Sequence, residues 1–138
     1  MKKRILSLLL ILCLVLTLCA CSKTKAPDLW ENALYTEDTE LGQGAKTVTV
    51  QVQAEDKTVN FTIHTDSATL GEALLEHGLV EGDMGEFGLY IKKVNGILAD
   101  YDVDQSYWGF YRGGEYMMSG VDTTEISGGE SYELIRTK

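Results

Sequence analysis

The side chains able to do chemistry are spaced so as to withhold most of it. His64 stands in an alternating run. His77 stands beside Gly78 and reads as a cation partner for the end of a helix. No serine sits in a Gly-x-Ser-x-Gly elbow. Asp100, Asp102 and Asp104 alternate as metal ligands would, but Tyr101 and Val103 separate them and the glycine and closing Glu of a calcium loop are missing. Glu81, Asp83 and Glu86, with Gly82 and Gly85, also lack that spacing. Gly71, Gly78, Gly82, Gly85 and Gly88 form no phosphate loop. The expectation is a chain that is not an enzyme, has no metal site and requires no covalently held cofactor.

What remains is apolar recognition, concentrated in Tyr107–Gly120. Five of the chain's 12 Phe, Tyr and Trp residues fall there. Alternation puts Trp108, Phe110 and Arg112 on one face of a strand, and Tyr107, Gly109 and Tyr111 on the other. Trp108 and Phe110 read as core. Gly113-Gly114 suits a two-residue hairpin turn. Beyond it, Tyr116, Met117, Met118 and Ser119 sit on a short arm that Gly120 closes. Thioethers suit irregular apolar partners, so this arm is the candidate contact surface.

The amino terminus carries a second chemistry. Lys2, Lys3 and Arg4 precede the mostly apolar run Ile5–Leu18, which is shorter than the ~20 residues of a membrane span. This is the form of a secretory signal. Its end, Leu18-Cys19-Ala20-Cys21, has the order of a bacterial lipobox. The expected outcome is removal of residues 1–20 and acylation of Cys21, giving a lipoprotein anchored to the extracellular face of the cell membrane. Cys13 and Cys19 leave with the signal, so the domain has no disulfide, no thiolate metal site and no Cys nucleophile. The net charge of −9 becomes −12 once the three leading cations are gone. Such a chain is a poor nucleic-acid binder.

The elements that position the aromatic arm follow in order. Ser22–Ala45 reads as a disordered tether, with a docked helical turn at Trp30 and Leu34 as the alternative. Residues 21–45 would then be lipidated Cys and tether, and 46–138 the domain. As a spacer, 24 residues would extend roughly 80 Å. Lys46–Gln53 and Thr58–Thr65 alternate as strands, with Val48, Val50, Val52, Val59, Phe61 and Ile63 inward. Ala54-Glu55-Asp56-Lys57 joins them. Thr69–His77 reads as a helix, with Thr69 and Glu72 as a capping box and Gly78 closing it. Leu89–Val94, a turn at Asn95-Gly96, a short segment Ile97–Tyr101, then strands Tyr107–Tyr111 and Ser131–Thr137 complete the order. Hairpin, helix, then further strands predicts an α+β fold: a β-grasp-like mixed sheet with one helix packed across it, preceded by signal peptide and tether.

Tyr107-Trp108, four residues, Gly113-Gly114-Glu115, four residues, Gly120 resembles the C-terminal domain of the vitamin carriers transcobalamin and intrinsic factor. It is similar also to bacterial lipoproteins with a transcobalamin-like C-terminal region. Gly88-Leu89-Tyr90-Ile91-Lys92-Lys93-Val94-Asn95-Gly96 and Ile126-Ser127-Gly128-Gly129-Glu130 agree with that pattern, and the resemblance covers about Thr47 to Arg136. Gly113-Gly114 departs from it, since the bacterial members usually have Asn-Gly there. The resemblance implies a ligand-binding β-grasp whose loops cover one face of a corrinoid such as cobalamin, for uptake. Carried over by position, Tyr116, Met117, Met118 and Ser119 match one loop, and Asn95 and Ile97 lie on a second. The implied roles are apolar packing by the methionines and amide contacts from Asn95 and Ser119. The alternative is a surface module docking on a membrane transporter or other cell-surface protein.

Overall fold

The computed structural model describes residues 28–138. The expected signal sequence, Cys21 and the start of the expected tether lie outside the described residues. The fold is a mixed α/β arrangement, mostly open sheet, with a short helix. Among the described residues, nine strands form two sheets. They are β1 (Thr39–Gly42), β2 (Lys46–Ala54), β3 (Lys57–Thr65), β4 (Val80–Gly85), β5 (Gly88–Val94), β6 (Ile97–Leu98), β7 (Tyr107–Arg112), β8 (Glu115–Tyr116) and β9 (Ser131–Thr137). The larger sheet has the order β1-β3-β2-β9-β7-β8 and the smaller one β4-β5-β6. Among the described residues there are two α-helices, α1 (Leu70–Glu76) and α2 (Tyr101–Asp104). Among the described residues, no helix is long and apolar enough to cross a membrane.

The alternation in β2 and β3 does what its period dictates. Val48, Val50, Val52, Val59, Phe61 and Ile63 are all buried, and the antiparallel register runs from Lys46↔Thr65 to Ala54↔Lys57. β9 then enters parallel to β2, with Thr49 opposite Ser131. A parallel neighbour needs a crossover, and α1, the small sheet and β7 occupy that connection. α1 starts as expected. Thr69 Oγ1 accepts the Glu72 N–H at 3.3 Å, while the Glu72 carboxylate accepts from the N–H of Ala68, one residue before the expected partner. Leu70, Ala73 and Leu74 bury one face of the helix.

Two expectations need correction. The strands after α1 do not all join one sheet, because β4–β6 pair among themselves. The stretch expected as tether is folded from Asp28 onward. A 3₁₀ turn at Leu29–Asn32, capped by the Asp28 carboxylate, buries Trp30, whose Nε1–H donates to Ala54 O at 3.0 Å. Tyr35 meets Phe61 edge-on at 5.5 Å, and β1 adds parallel to β3. Trp30 is therefore a core residue of the domain, and the partly buried Tyr35 packs against that core.

Candidate ligand groove

β7 is the strand that builds the site. Its pairing with β9 runs from Tyr107↔Thr137 to Arg112↔Tyr132. Trp108 and Phe110 are buried as expected; Phe110 stacks on Tyr132 at 5.7 Å, and Trp108 Nε1–H donates to Ile97 O at 3.2 Å. Gly113 and Gly114 both take positive φ, 56° and 84°, and turn the chain into β8. β8 is short: it pairs only Tyr111↔Tyr116 and Arg112↔Glu115. The arm then leaves the sheet, and the Met117 N–H donates to Phe110 O at 2.9 Å.

Where β8 ends, a groove of about 360 Å³ opens between β5, β7 and the arm. Its walls include Leu89, Tyr90, Tyr107, Trp108, Phe110 and Met117. Tyr116, Met118 and Ser119 of the arm line it too, as does Phe87 at the tip of the β4–β5 hairpin. Phe87 and Met118 are each 93% exposed, whereas Met117 is half-buried against the core. Tyr116 is held by an edge-on contact with Tyr111 at 5.5 Å. A polar hollow lies next to the groove and shares Met117 and Ser119 with it. There Glu130 accepts from the N–H of Ser127 at 2.9 Å and of Gly128. Burial pushes the Glu130 carboxyl up, but these amide bonds outweigh it and hold it below its ordinary range.

The structure thus brings Tyr116, Met117, Met118 and Ser119 together and sets Asn95 and Ile97 apart. Ile97 is buried in the core. Asn95 is fully buried, at 0% exposure, and both ends of its amide are taken: Oδ1 accepts the Tyr35 N–H at 2.9 Å and Nδ2 donates to Tyr35 O at 2.8 Å. Its backbone N–H donates to Leu79 O and its C=O accepts from Leu34. No amide contact is left to offer a ligand, so Asn95 is the clasp that holds the N-terminal segment. Phe87 and Tyr90 were missed by the sequence reading. The available signal was an apolar Phe in the Gly85-Glu86-Phe87-Gly88 hairpin turn, where nothing in the core requires it. Among the described residues, no three His, Cys, Asp or Glu side chains gather to hold a metal.

No family model and no curated protein matches the chain. Among solved structures, a protein of Ruminococcus gnavus ATCC 29149, described as a proposed metal binding protein, is 36% identical. The match covers 68% of this chain and 98% of that one, with a TM-score of 0.65. The chain belongs to the family of that protein. Haptocorrin in complex with Cbi shares the fold at 23% identity and a TM-score of 0.51, over 67% of this chain and 25% of haptocorrin.

Proposed function

We propose that the chain is a ligand-binding domain of the transcobalamin-like β-grasp type and that its groove takes the apolar side of a corrinoid. The observation that carries this is the row Phe87, Tyr90, Tyr116 and Met118, all exposed and all lining one groove. The strand order β3-β2-β9-β7, with a parallel central pair and α1 in the crossover, supports the β-grasp reading. The likeness to haptocorrin supports the ligand class. A groove of about 360 Å³ is at the small end for a ligand pocket and contacts only part of a corrin. The expected affinity is therefore micromolar or weaker, about −8 kcal/mol or less favourable. Calorimetric titration of the full-length protein with cobinamide and cobalamin tests this; no binding at high micromolar concentration removes the corrinoid.

The leader and lipobox support acylation of Cys21, and with it anchoring at the extracellular face of the membrane and a role in uptake. Mass spectrometry of the mature N-terminus checks the anchor. A second reading, docking of the patch on a transporter or other surface protein, draws on Phe87 and Met118, whose near-complete exposure extends the patch beyond the groove. It gains if the protein ignores corrinoids while cross-linking through a Phe87 position captures a membrane transporter.

A further inference from the structure

The groove is apolar in its side chains, yet one of its walls is the open edge of a strand. In an antiparallel ladder, alternate residues aim their N–H and C=O to opposite edges. Phe110 O accepts the Met117 N–H, and Arg112 pairs with Glu115 across the turn. The even-numbered residues of β7 therefore aim their backbone groups toward β8, and Tyr107, Gly109 and Tyr111 aim theirs toward β9. By the same alternation, the N–H and C=O of Trp108 point to the β8 side. β8 has ended before it reaches them, because its pairing stops at Tyr111↔Tyr116. Among the described residues the strand neighbours of β7 are β8 and β9, so no described strand pairs with these two groups.

In extended backbone, the N–H and C=O of one residue point the same way. Together they form a donor beside an acceptor, set in an apolar wall where a backbone polar group needs a partner. We propose that this pair is a carboxamide-recognition element: a ligand carboxamide accepts from the Trp108 N–H through its carbonyl and donates to Trp108 C=O through its NH₂. An ester at the same place accepts but cannot donate, and a carboxylate meets the Trp108 carbonyl with no proton and enters a chain of net charge −9. The element so defines the class of ligand: an apolar body carrying a neutral carboxamide at its rim. This inference rests on the corrinoid reading and adds what the groove selects.

The test uses the full-length protein labelled with ¹⁵N-tryptophan. The chain has two tryptophans, so two backbone amides are seen. Trp30 N–H donates to Asp28 Oδ1 away from the groove and serves as an internal control. Cobinamide is expected to slow exchange of the Trp108 amide by about tenfold or more and to leave Trp30 unchanged. A corrin with methyl esters in place of its carboxamides is expected to bind about tenfold more weakly, the equivalent of one lost hydrogen bond of ~1.4 kcal/mol. If cobinamide binds while the Trp108 amide is unaffected and the ester binds as well, the carboxamide element is overturned and the corrinoid reading stands. If neither corrin binds at high micromolar concentration, the corrinoid reading fails and this inference falls with it. Protection of Trp108 by an extended apolar peptide, but not by cobinamide, would make the edge a strand-pairing surface and overturn the proposal as well.

Discussion

Two aromatic clusters in this molecule have similar compositions and opposite fates. In the N-terminal segment, Trp30 and Tyr35 come from a stretch rich in Asp and Glu, yet Trp30 is buried and Tyr35 partly buried against the core. Trp30 places its indole N–H on Ala54 O, Tyr35 rests on Phe61, and Asn95 closes the backbone around them. At the groove, Phe87, Tyr90, Tyr116 and Met118 come from equally polar surroundings and stay in water. Covering an aromatic requires that its polar atoms and the nearby backbone find partners inside the fold. The first cluster has Asn95 to provide them. The second lies where β8 stops short, and the edge of β7 is left without its partner. What separates a clasp from a site is therefore hydrogen-bond closure, more than apolar content.

The largest way to break this contrast is to open the clasp. Trp30→Ala is expected to cost about 3–5 kcal/mol, as other aromatic core truncations do, and to free the segment before β1. A fall in Tm together with new proteolysis between Asp28 and Gly42 is the expected outcome, and an unchanged Tm would mean that the segment is not part of the core. Asn95→Ala is expected to cost about 1–3 kcal/mol through the unpaired Tyr35 backbone groups. It should also strain a position that takes φ 52°. Corrinoid titration of this variant should match the wild type at a temperature where it is folded, since Asn95 lies away from the groove.

Acid provides a third comparison. Asp104 accepts from the hydroxyl and N–H of Ser106 and pairs with Arg136 at 3.2 Å, which holds its carboxyl below the ordinary range. Glu130, beside the groove, is lowered by the amides of Ser127 and Gly128 against the opposing effect of burial. A lowered folded-state value means that the unfolded chain binds the proton more readily. The stability contributed by these groups is thus present above about pH 4 and is lost as the pH falls through the folded values. Asp104→Asn and Glu130→Gln should each flatten the acid limb of a Tm–pH profile and leave its neutral shape unchanged. The smallest effect on stability is expected at the site itself. Met118→Ser should change Tm by no more than the equivalent of about 0.5 kcal/mol, because its side chain is exposed. It should still weaken cobinamide binding severalfold. Unfolding of this variant would place Met118 with the clasp and not with the site.

The legible part of this fold was the part written in period two. β2 and β3 alternate cleanly, and the helix carried its cap at Thr69, so both stood out. β1, with the sequence Thr-Glu-Leu-Gly, is too short to display a period. β4 carries two acids and two glycines, and it pairs only with β5, at the edge of the small sheet. Neither strand advertises itself, because sheet pairing and not side-chain pattern holds it. Asn95 was misread for a related reason: Asn-Gly marks a tight turn, and such turns usually face water. Here the turn folds inward over Tyr35. The arm at Tyr116–Ser119 was readable because a strand does not need two thioethers after a glycine turn. Phe87 went unread because one aromatic in a loop has no period at all.

The docking of Asp28 to the domain changes how the molecule occupies space. With Cys21 acylated as proposed, what separates the anchor from the folded segment is at most the seven steps from Cys21 to Asp28 and not a 24-residue spacer, with a maximum span of about 25 Å. Asp28 lies beside the β2–β3 turn, in an ion pair with Lys57. The domain is then confined to a thin layer of volume above the bilayer. A membrane-embedded partner would experience it at a high effective concentration, set by that short reach and not by the amount of protein in the cell. If the groove takes a corrinoid as proposed, each release from a domain held in this way happens within a domain's breadth of the membrane.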